Sequence, residues 1–312
     1  MSDAVSGFID AMQSAGIRPL EPIAHKLAAG QPVRFRAEGD RPGRRNGWAV
    51  LHLDGVPAGV FRHYRLGIRS LWRAGSDPRT LSPAERRAIM AKAQEAEARR
   101  KAETRAKQDA AAAQAQALWK AAISGDSAHG YLVAKCLAPF GIRQSGAALL
   151  VPMFDPAFRI WNLQRIAPDG GKRFLPGGRI DGLFWPHAMH LADGRPSPGP
   201  LVIGEGFATV AAIHEATGYA VAAAMSAHNL EPVAKAMRGL FPARQIIIAA
   251  DDDRHLPENM GLGLATRAAE SIGGLLAVPR PQTVLSDSGA DFADLTRTDS
   301  AAIIAATLTG EA

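Results

Sequence analysis

Leu201-Val202-Ile203-Gly204-Glu205-Gly206 and, further along, Ile246-Ile247-Ile248-Ala249-Ala250-Asp251-Asp252-Asp253 decide the fold. Each is a short apolar run that stops at acid. Such runs, bounded by polar residues, read as strands buried on both faces. An unpartnered carboxylate is costly to bury, so the acids belong at strand ends, on the rim of a sheet. Clustered there, they would repel one another unless a cation shared them. The pattern points to a carboxylate site for a hard divalent metal.

The surrounding sequence supplies the sheet. Strand patterns at 201–203, 220–223, 245–250 and 275–278 alternate with helical patterns at 208–217, 230–240 and 262–272. That alternation predicts a parallel sheet covered by helices. In such sheets ligands bind beyond the carboxyl ends of the strands, where Glu205 and Asp251–Asp253 fall. No G-x-x-x-x-G-K-[ST] motif occurs, and Gly261-Leu262-Gly263 lacks the third glycine of a dinucleotide fingerprint. His187, His190, His214, His228 and His255 read as surface residues.

Immediately upstream, residues 149–153 and 159–166 form a hairpin pattern that turns at Asp155-Pro156. Asp169-Gly170-Gly171-Lys172-Arg173-Phe174-Leu175-Pro176-Gly177-Gly178-Arg179 reads as a Gly/Pro-rich loop with three cations. Its glycines permit close backbone approach to a ligand and its cations suit phosphates; an exposed hairpin loop is the plainer reading. Residues 129–141 read as a short helix and turn.

The N-terminal third is different. Residues 1–110 hold 20 Lys+Arg and 12 Asp+Glu, a net +8, whereas the remainder holds 16 and 18, a net −2. Strand patterns at 33–36, 48–53, 60–64 and 69–73, with Asp54-Gly55 as a hairpin turn, predict a small antiparallel module. Residues 31–79 carry ten Lys+Arg against four acids. Trp48, Phe61, Tyr64 and Trp72 interleave with these arginines, a mixture that single-stranded nucleic-acid binders use; a small sheet also needs aromatics for its own core. Ser82-Pro83-Ala84-Glu85 is a capping box with Pro at the first helical position. From there to about residue 123 the chain is mostly Ala, Glu, Lys, Arg and Gln, which predicts a long exposed helix without coiled-coil heptads. The boundaries that follow are 1–80 for a basic β-rich module, 81–123 for a helical linker, 124–197 for a basic α+β subdomain and 198–312 for the parallel-sheet domain.

The single cysteine, Cys136, excludes an internal disulfide and any zinc site needing two cysteines from this sequence. No apolar run approaches a membrane span and no secretory signal is visible. A cytoplasmic protein without membrane partners is expected.

The strand–Glu205–helix unit followed by strand–Asp251-x-Asp253 resembles the Toprim domain shared by DnaG-type primases, topoisomerases and some nucleases. Asp291-Phe292-Ala293-Asp294-Leu295 fits the further acidic motif of that family. The hairpin and cationic loop of residues 149–179 resemble the basic subdomain that precedes Toprim in bacterial and phage primases. Tyr131-Leu132 stands where those proteins carry a Y-L-x-x-[RK]-G helix, here degenerate at Lys135-Cys136. In combination the chain is similar to the Toprim primases of plasmids and phages.

The resemblance implies synthesis of short RNA primers on single-stranded DNA from ribonucleoside triphosphates. It implies Mg²⁺ or Mn²⁺ held by Asp251, Asp253, Asp291 and Glu205, with Glu205, Asp251 and Asp253 catalytic. It gives Lys172, Arg173 and Arg179 to nucleotide or DNA phosphates, and it admits a separate replicative helicase as partner. Asp252 is expected to point elsewhere. The sequence departs from the family at Thr209, where a second acid is usual, and in having no cysteine-rich zinc module. A Toprim nuclease and a non-catalytic DNA-binding accessory protein are the alternatives.

Overall fold

The computed structural model describes residues 3–54, 56–75, 82–190, 194–195, 197–252, 259–279, 292–293 and 308. The chain divides into two compact units, Met1–Arg105 and Ala106–Ala312.

The first unit opens with helices α1 (Asp3–Ser14) and α2 (Ala24–Ala28). Four antiparallel strands follow: β1 (Val33–Phe35), β2 (Gly47–His52), β3 (Ala58–His63) and β4 (Ile68–Arg73), in the order β1-β2-β3-β4. Side chains alternate across the sheet. One face packs Phe35, Leu51 and Phe61 against Phe8 and Met12 of α1. Phe8 meets Phe61 and Trp72 edge-on, at 5.6 and 5.5 Å between ring centroids. The other face sets Trp48, Val50 and Val60 against Ile89 and Ala93. The sheet therefore uses Trp48 and Phe61 as core, and of the four aromatics Tyr64 is the exposed one, at 46%.

Helix α3 (Pro83–Ala121) begins with the capping box read from the sequence. The Glu85 N–H donates to Ser82 Oγ at 3.3 Å and the Ser82 N–H donates to Glu85 Oε2 at 2.9 Å. Its early turns bury Ile89 and Ala93 in the first unit, and its late turns bury Ala111, Ala112 and Ala115 in the second. Between them residues 98–110 are exposed almost throughout, as their composition dictates.

The second unit contains two sheets. The antiparallel one runs β5 (Ile123–Ser124), β6 (Arg143–Ser145), β7 (Ala148–Phe154), β8 (Ile160–Ile166) and β9 (Lys172–Phe174), with helix α4 (Gly130–Lys135) after β5. Part of the stretch expected as a Gly/Pro-rich loop is thus strand: Lys172–Phe174 pairs with Gln164–Ile166. Set between glycines on one side and Pro176 on the other, it shows no alternation of its own. The second sheet has the order β10-β12-β11-β13-β14, made of β10 (Trp185–His187), β11 (Leu201–Gly204), β12 (Ala220–Ala223), β13 (Ile246–Ala249) and β14 (Leu275–Ala277). β11 to β14 are parallel, and β10 adds an antiparallel edge that the sequence reading did not include. A two-way bridge between Phe154 and Phe184 joins the sheets.

Helices α5 (Phe207–Thr217), α6 (Leu230–Leu240) and α7 (Met260–Ile272) connect the parallel strands. α5 is packed against Val202, Val221 and Ile247 and also against Leu149, Val151 and Trp161 of the antiparallel sheet. Enclosed between the two, it is buried from Phe207 through Ile213, and an apolar surface all round is the consequence. α6 has solvent on one side and buries only Leu230, Val233, Ala234 and Met237, one stripe at helical spacing, against Leu201, Ile203 and Ile248. The architecture is α/β: a parallel sheet flanked by helices, preceded by an antiparallel α+β layer, a long helix and a β-rich module.

His187 and His214 correct the expectation of surface histidines. Their rings lie 4.5 Å apart, with Trp185 stacked on His187 and Phe140 edge-on to both. Burial, with His214 adding to it, holds the His187 pKa below the usual imidazole value. β10 is the reason, because it brings His187 over the end of α5. His255 lies outside the described residues.

Candidate functional site

The connections of the parallel sheet mark where a candidate ligand site falls. From β11 the chain crosses to β12 on one side, and from β13 it crosses to β14 on the other. The crossovers diverge between β11 and β13, and the carboxyl ends of the strands at such a switch point are the usual ligand position in such sheets. The register pairs Gly204 with Ala249. Glu205 and Asp251 therefore leave neighbouring strands at the same end, and both are half-buried.

The local sequence enforces this. Gly204 allows α5 to close on β11, since a Cβ there would meet Val210 Cγ1 at 2.8 Å. Gly206 caps α5 in extended conformation, which turns the chain sharply after Glu205. Asp252 is buried and accepts from Asn259 Nδ2 at 2.7 Å. Asn259 in turn caps α7 through the Leu262 N–H. Asp252 is thus engaged in holding the start of α7. Thr209 is buried on α5, as a residue without a ligand role would be. Asp253 and Asp291 lie outside the described residues; Phe292, next to Asp291, is fully buried in the core around α5. Among the described residues no group of three or more acids, histidines or cysteines is placed to hold a metal. Glu205 and Asp251 offer hard oxygen donors, which fit Mg²⁺ or Mn²⁺ better than a softer ion.

Two buried asparagines, which the sequence reading passed over, hold the cationic loop to this end of the sheet. Asn162 Oδ1 accepts from the Leu163 and Leu175 N–H groups at 2.8 and 3.2 Å, and its Nδ2 donates to the Arg179 carbonyl at 2.9 Å. Gly178 is required beside it, because a Cβ there would fall 2.4 Å from Asn162 Nδ2. Asn229 Oδ1 accepts from the Gly182 N–H at 2.7 Å. Its Nδ2 donates to the carbonyls of Leu183 and Ala224 at 2.8 and 2.7 Å, and to that of Ile180 at 3.2 Å. The Ala224 N–H donates to the Gly204 carbonyl at 2.8 Å. One chain of hydrogen bonds therefore runs from the residue before Glu205 to the segment after Arg179. An interior asparagine amid apolar strands was the available signal, since a buried amide demands partners.

The three sequence-predicted cations are presented differently. The Arg179 guanidinium stacks on Trp161 at 4.5 Å, and Arg159 stacks on the same ring at 4.7 Å. Trp161 is fixed by donating Nε1–H to Asp155 Oδ2 at 2.7 Å. Burial works to raise the Asp155 pKa, but the Arg159 N–H, the Trp161 N–H and the Ala157 N–H outweigh it and keep the carboxylate ionised. Lys172 sits over the Tyr131 ring at 5.6 Å. Arg173 is exposed on β9 opposite Arg165.

Residues 200–302 match the family model described as the Toprim domain. Two proteins of Escherichia coli, each named DNA primase TraC, are 33% and 35% identical to the chain over 279 and 281 residues. Each alignment covers 87% of this chain, and the chain spans 26% and 19% of those relatives' lengths. The zinc-binding and RNA polymerase domains of the Aquifex aeolicus primase are similar at a TM-score of 0.45 and 11% identity, over 99% of this chain and 86% of that one. Among the described residues no helix is long and apolar enough to cross a membrane.

Proposed function

We propose that the chain is the polymerising part of a DNA primase, joining ribonucleotides into short primers on single-stranded DNA. One observation carries the reading: Glu205 and Asp251 leave adjacent parallel strands at the point where the crossovers diverge, and the asparagine-held cationic loop is tied to that same end. The identity to primases over most of the chain supports it.

In this reading Asp251, Asp253 and Asp291 hold Mg²⁺ or Mn²⁺, with Glu205 beside them. When bound, the cation supplies charge neutralisation at the α-phosphate and at the departing pyrophosphate. Glu205 takes the proton of the attacking 3′-hydroxyl as the new oxygen–phosphorus bond forms and the bond to pyrophosphate breaks. Lys172, Arg173 and Arg179 neutralise nucleotide or template phosphates. The partners are single-stranded DNA, ribonucleoside triphosphates and a separate replicative helicase, and the place of work is the cytoplasm.

The test is direct. The full chain is incubated with single-stranded DNA, labelled ribonucleotides and Mg²⁺ or Mn²⁺, and oligoribonucleotides are resolved by length. Primer products are expected, reduced at least about a hundredfold in Asp251→Asn and in Glu205→Gln, the size of effect that losing transition-state charge stabilisation produces. Cleaved DNA in place of primers would make the chain a nuclease. Neither product across varied templates would make it an accessory DNA-binding protein.

A further inference from the structure

The first unit carries a charged face that the reaction above does not use. Register places Arg34, Trp48, Arg62 and Arg69 side by side across β1, β2, β3 and β4. The Arg62 guanidinium lies 4.6 Å from both the Trp48 and the Tyr64 rings, and Arg34 lies 5.0 Å from Tyr64 and donates to its hydroxyl at 3.4 Å. Cation and aromatic planes thus alternate from buried Trp48 out to exposed Tyr64 and Arg34.

Beside this ladder lies the loop carrying Arg41, Arg44 and Arg45, and it is anchored from within. Asp40 is buried and accepts from the Ala37 N–H at 3.0 Å and from Asn46 Nδ2 at 2.8 Å. Fully buried His63 faces it, Nε2 to Oδ1 at 3.2 Å. His63 Nδ1 accepts from the Leu66 N–H, which leaves the ring proton on Nε2. A buried carboxylate thus fixes both ends of an arginine-rich loop whose tip is exposed.

The balance of charge on this face is positive. Arg45 is taken by Glu21 at 3.2 Å and Arg62 by Glu97 at 3.5 Å. Arg34, Arg41, Arg44 and Arg69 form no ion pair with the described residues. A groove of about 630 Å³ in the same unit offers a contrast. Its lining sets Asp54, Glu95 and Glu103 against Lys92, Arg99 and Arg100, with Lys92 paired to Asp54 and Arg99 to Glu103 at 2.7 and 3.2 Å, so it holds no excess of cations with which to select a polyanion.

We infer that the Arg34–Tyr64 ladder and the Arg41–Arg44 loop form a docking surface for single-stranded DNA. Exposed aromatic and guanidinium planes offer stacking to unpaired bases, which a duplex keeps inside its own stack. The unpaired arginines meet the phosphates. The choice of DNA over RNA rests on the primase reading; the surface itself does not.

The experiment measures anisotropy of a short labelled single strand on the full chain, without nucleotide or metal, so that it is independent of synthesis. Tyr64 and Arg34 are exposed, so their variants keep the core, and circular dichroism checks this. Tyr64→Ala is expected to weaken binding about tenfold, the effect of losing one stacked base. Arg34→Gln/Arg44→Gln is expected to reduce the slope of log K against log salt by about 1.4, or about 0.7 for each lost phosphate contact. Affinity within twofold of wild type and an unchanged slope in both variants overturns the surface, whether or not the chain makes primers. An equal loss on duplex DNA reduces it to unselective charge and also overturns it. Tighter, Tyr64-dependent binding of RNA of the same sequence overturns the choice of DNA. Tyr64-dependent DNA binding by a chain that makes no primers sustains the surface and removes the primase reading alone.

Discussion

Two antiparallel sheets of this chain each carry arginines aligned across four strands, and their surroundings differ. In the first unit the row is Arg34, Trp48, Arg62, Arg69; in the second it is Arg143, Leu150, Arg165, Arg173. The first row is interleaved with aromatic rings. In the second, only Arg143 has such company, stacking on Trp119 at 4.7 Å and donating to its carbonyl at 2.6 Å. Arg165 and Arg173 stand exposed and opposite each other, with no ion pair to the described residues. Rings spread the first row into planes that suit bases. The second row is point charge on an open strand pair, which suits phosphate. Each row also adjoins a cationic loop fixed by buried polar side chains, Asp40 in the first unit and Asn162, with Asn229 just beyond Arg179, in the second.

Removing those anchors tests the comparison most severely. Asn162→Ala takes the side-chain partner from the Leu163 N–H and the Arg179 carbonyl in an apolar interior, and leaves the Leu175 N–H only its 3.3 Å bond to the Leu163 carbonyl. Each unsatisfied group costs about 1–3 kcal/mol, some of which relaxation recovers, so a net loss of about 3 kcal/mol is expected in urea unfolding. Hydrogen exchange should locate the change in residues 172–184. A loss below about 1 kcal/mol, or a change spread over the whole unit, would mean that the loop holds itself and that Asn162 is not its anchor.

Asp40 makes the matching test by pH. Burial works to raise its carboxyl pKa, but the Asn46 side chain, the Ala37 N–H and His63 outweigh it and lower the value to about 2. A depressed folded-state pKa contributes stability that is fully present above the unfolded value, near 3.9, and is lost as pH falls through about 2. Between those pH values the first unit is expected to weaken relative to an Asp40→Asn chain, whose stability lacks this dependence. The check is hydrogen exchange of residues 33–63 over that interval. Parallel pH profiles for the two chains would show that Asp40 is not the anchor.

How far the sequence foretold these features depended on what kind of signal each left. Period and apolar runs placed β11 to β14 and α5 to α7 within a residue or two; β11, β12 and β13, buried throughout, read as continuous apolar runs between turn residues. The positions of Glu205 and Asp251 beyond the strands followed from the cost of burying a carboxylate. β5, β6, β9 and β10 were missed because, unlike the equally short β1 and β14, none of them alternates or forms an apolar run, and each is specified by its partner strand. Asn162 and Asn229 were missed for a related reason. Their role lies in long-range hydrogen bonds, such as Asn229 to Gly182, that no local spacing encodes. The aromatics of the first unit were legible only as alternatives, since stacking surface and core demand the same residues. Burial separated Trp48 and Phe61 from Tyr64.

The smallest effect is the sharpest on the contrast between the two rows. Like charges directly opposite on neighbouring strands destabilise a sheet by a few tenths of a kcal/mol. Arg173→Gln should therefore stabilise the second unit by about 0.5 kcal/mol at low salt, whereas Arg143→Gln, which gives up a carbonyl and a ring, should destabilise it. The Arg173→Gln gain should vanish in high salt, where the repulsion is screened. In wild type, millimolar phosphate should give a similar gain at constant ionic strength by occupying the pair. If Arg173→Gln instead destabilises at every salt concentration, Arg173 is a packed structural residue like Arg143. The second row would then have no open charge to offer a phosphate, and its difference from the first would lie only in which ring each arginine covers.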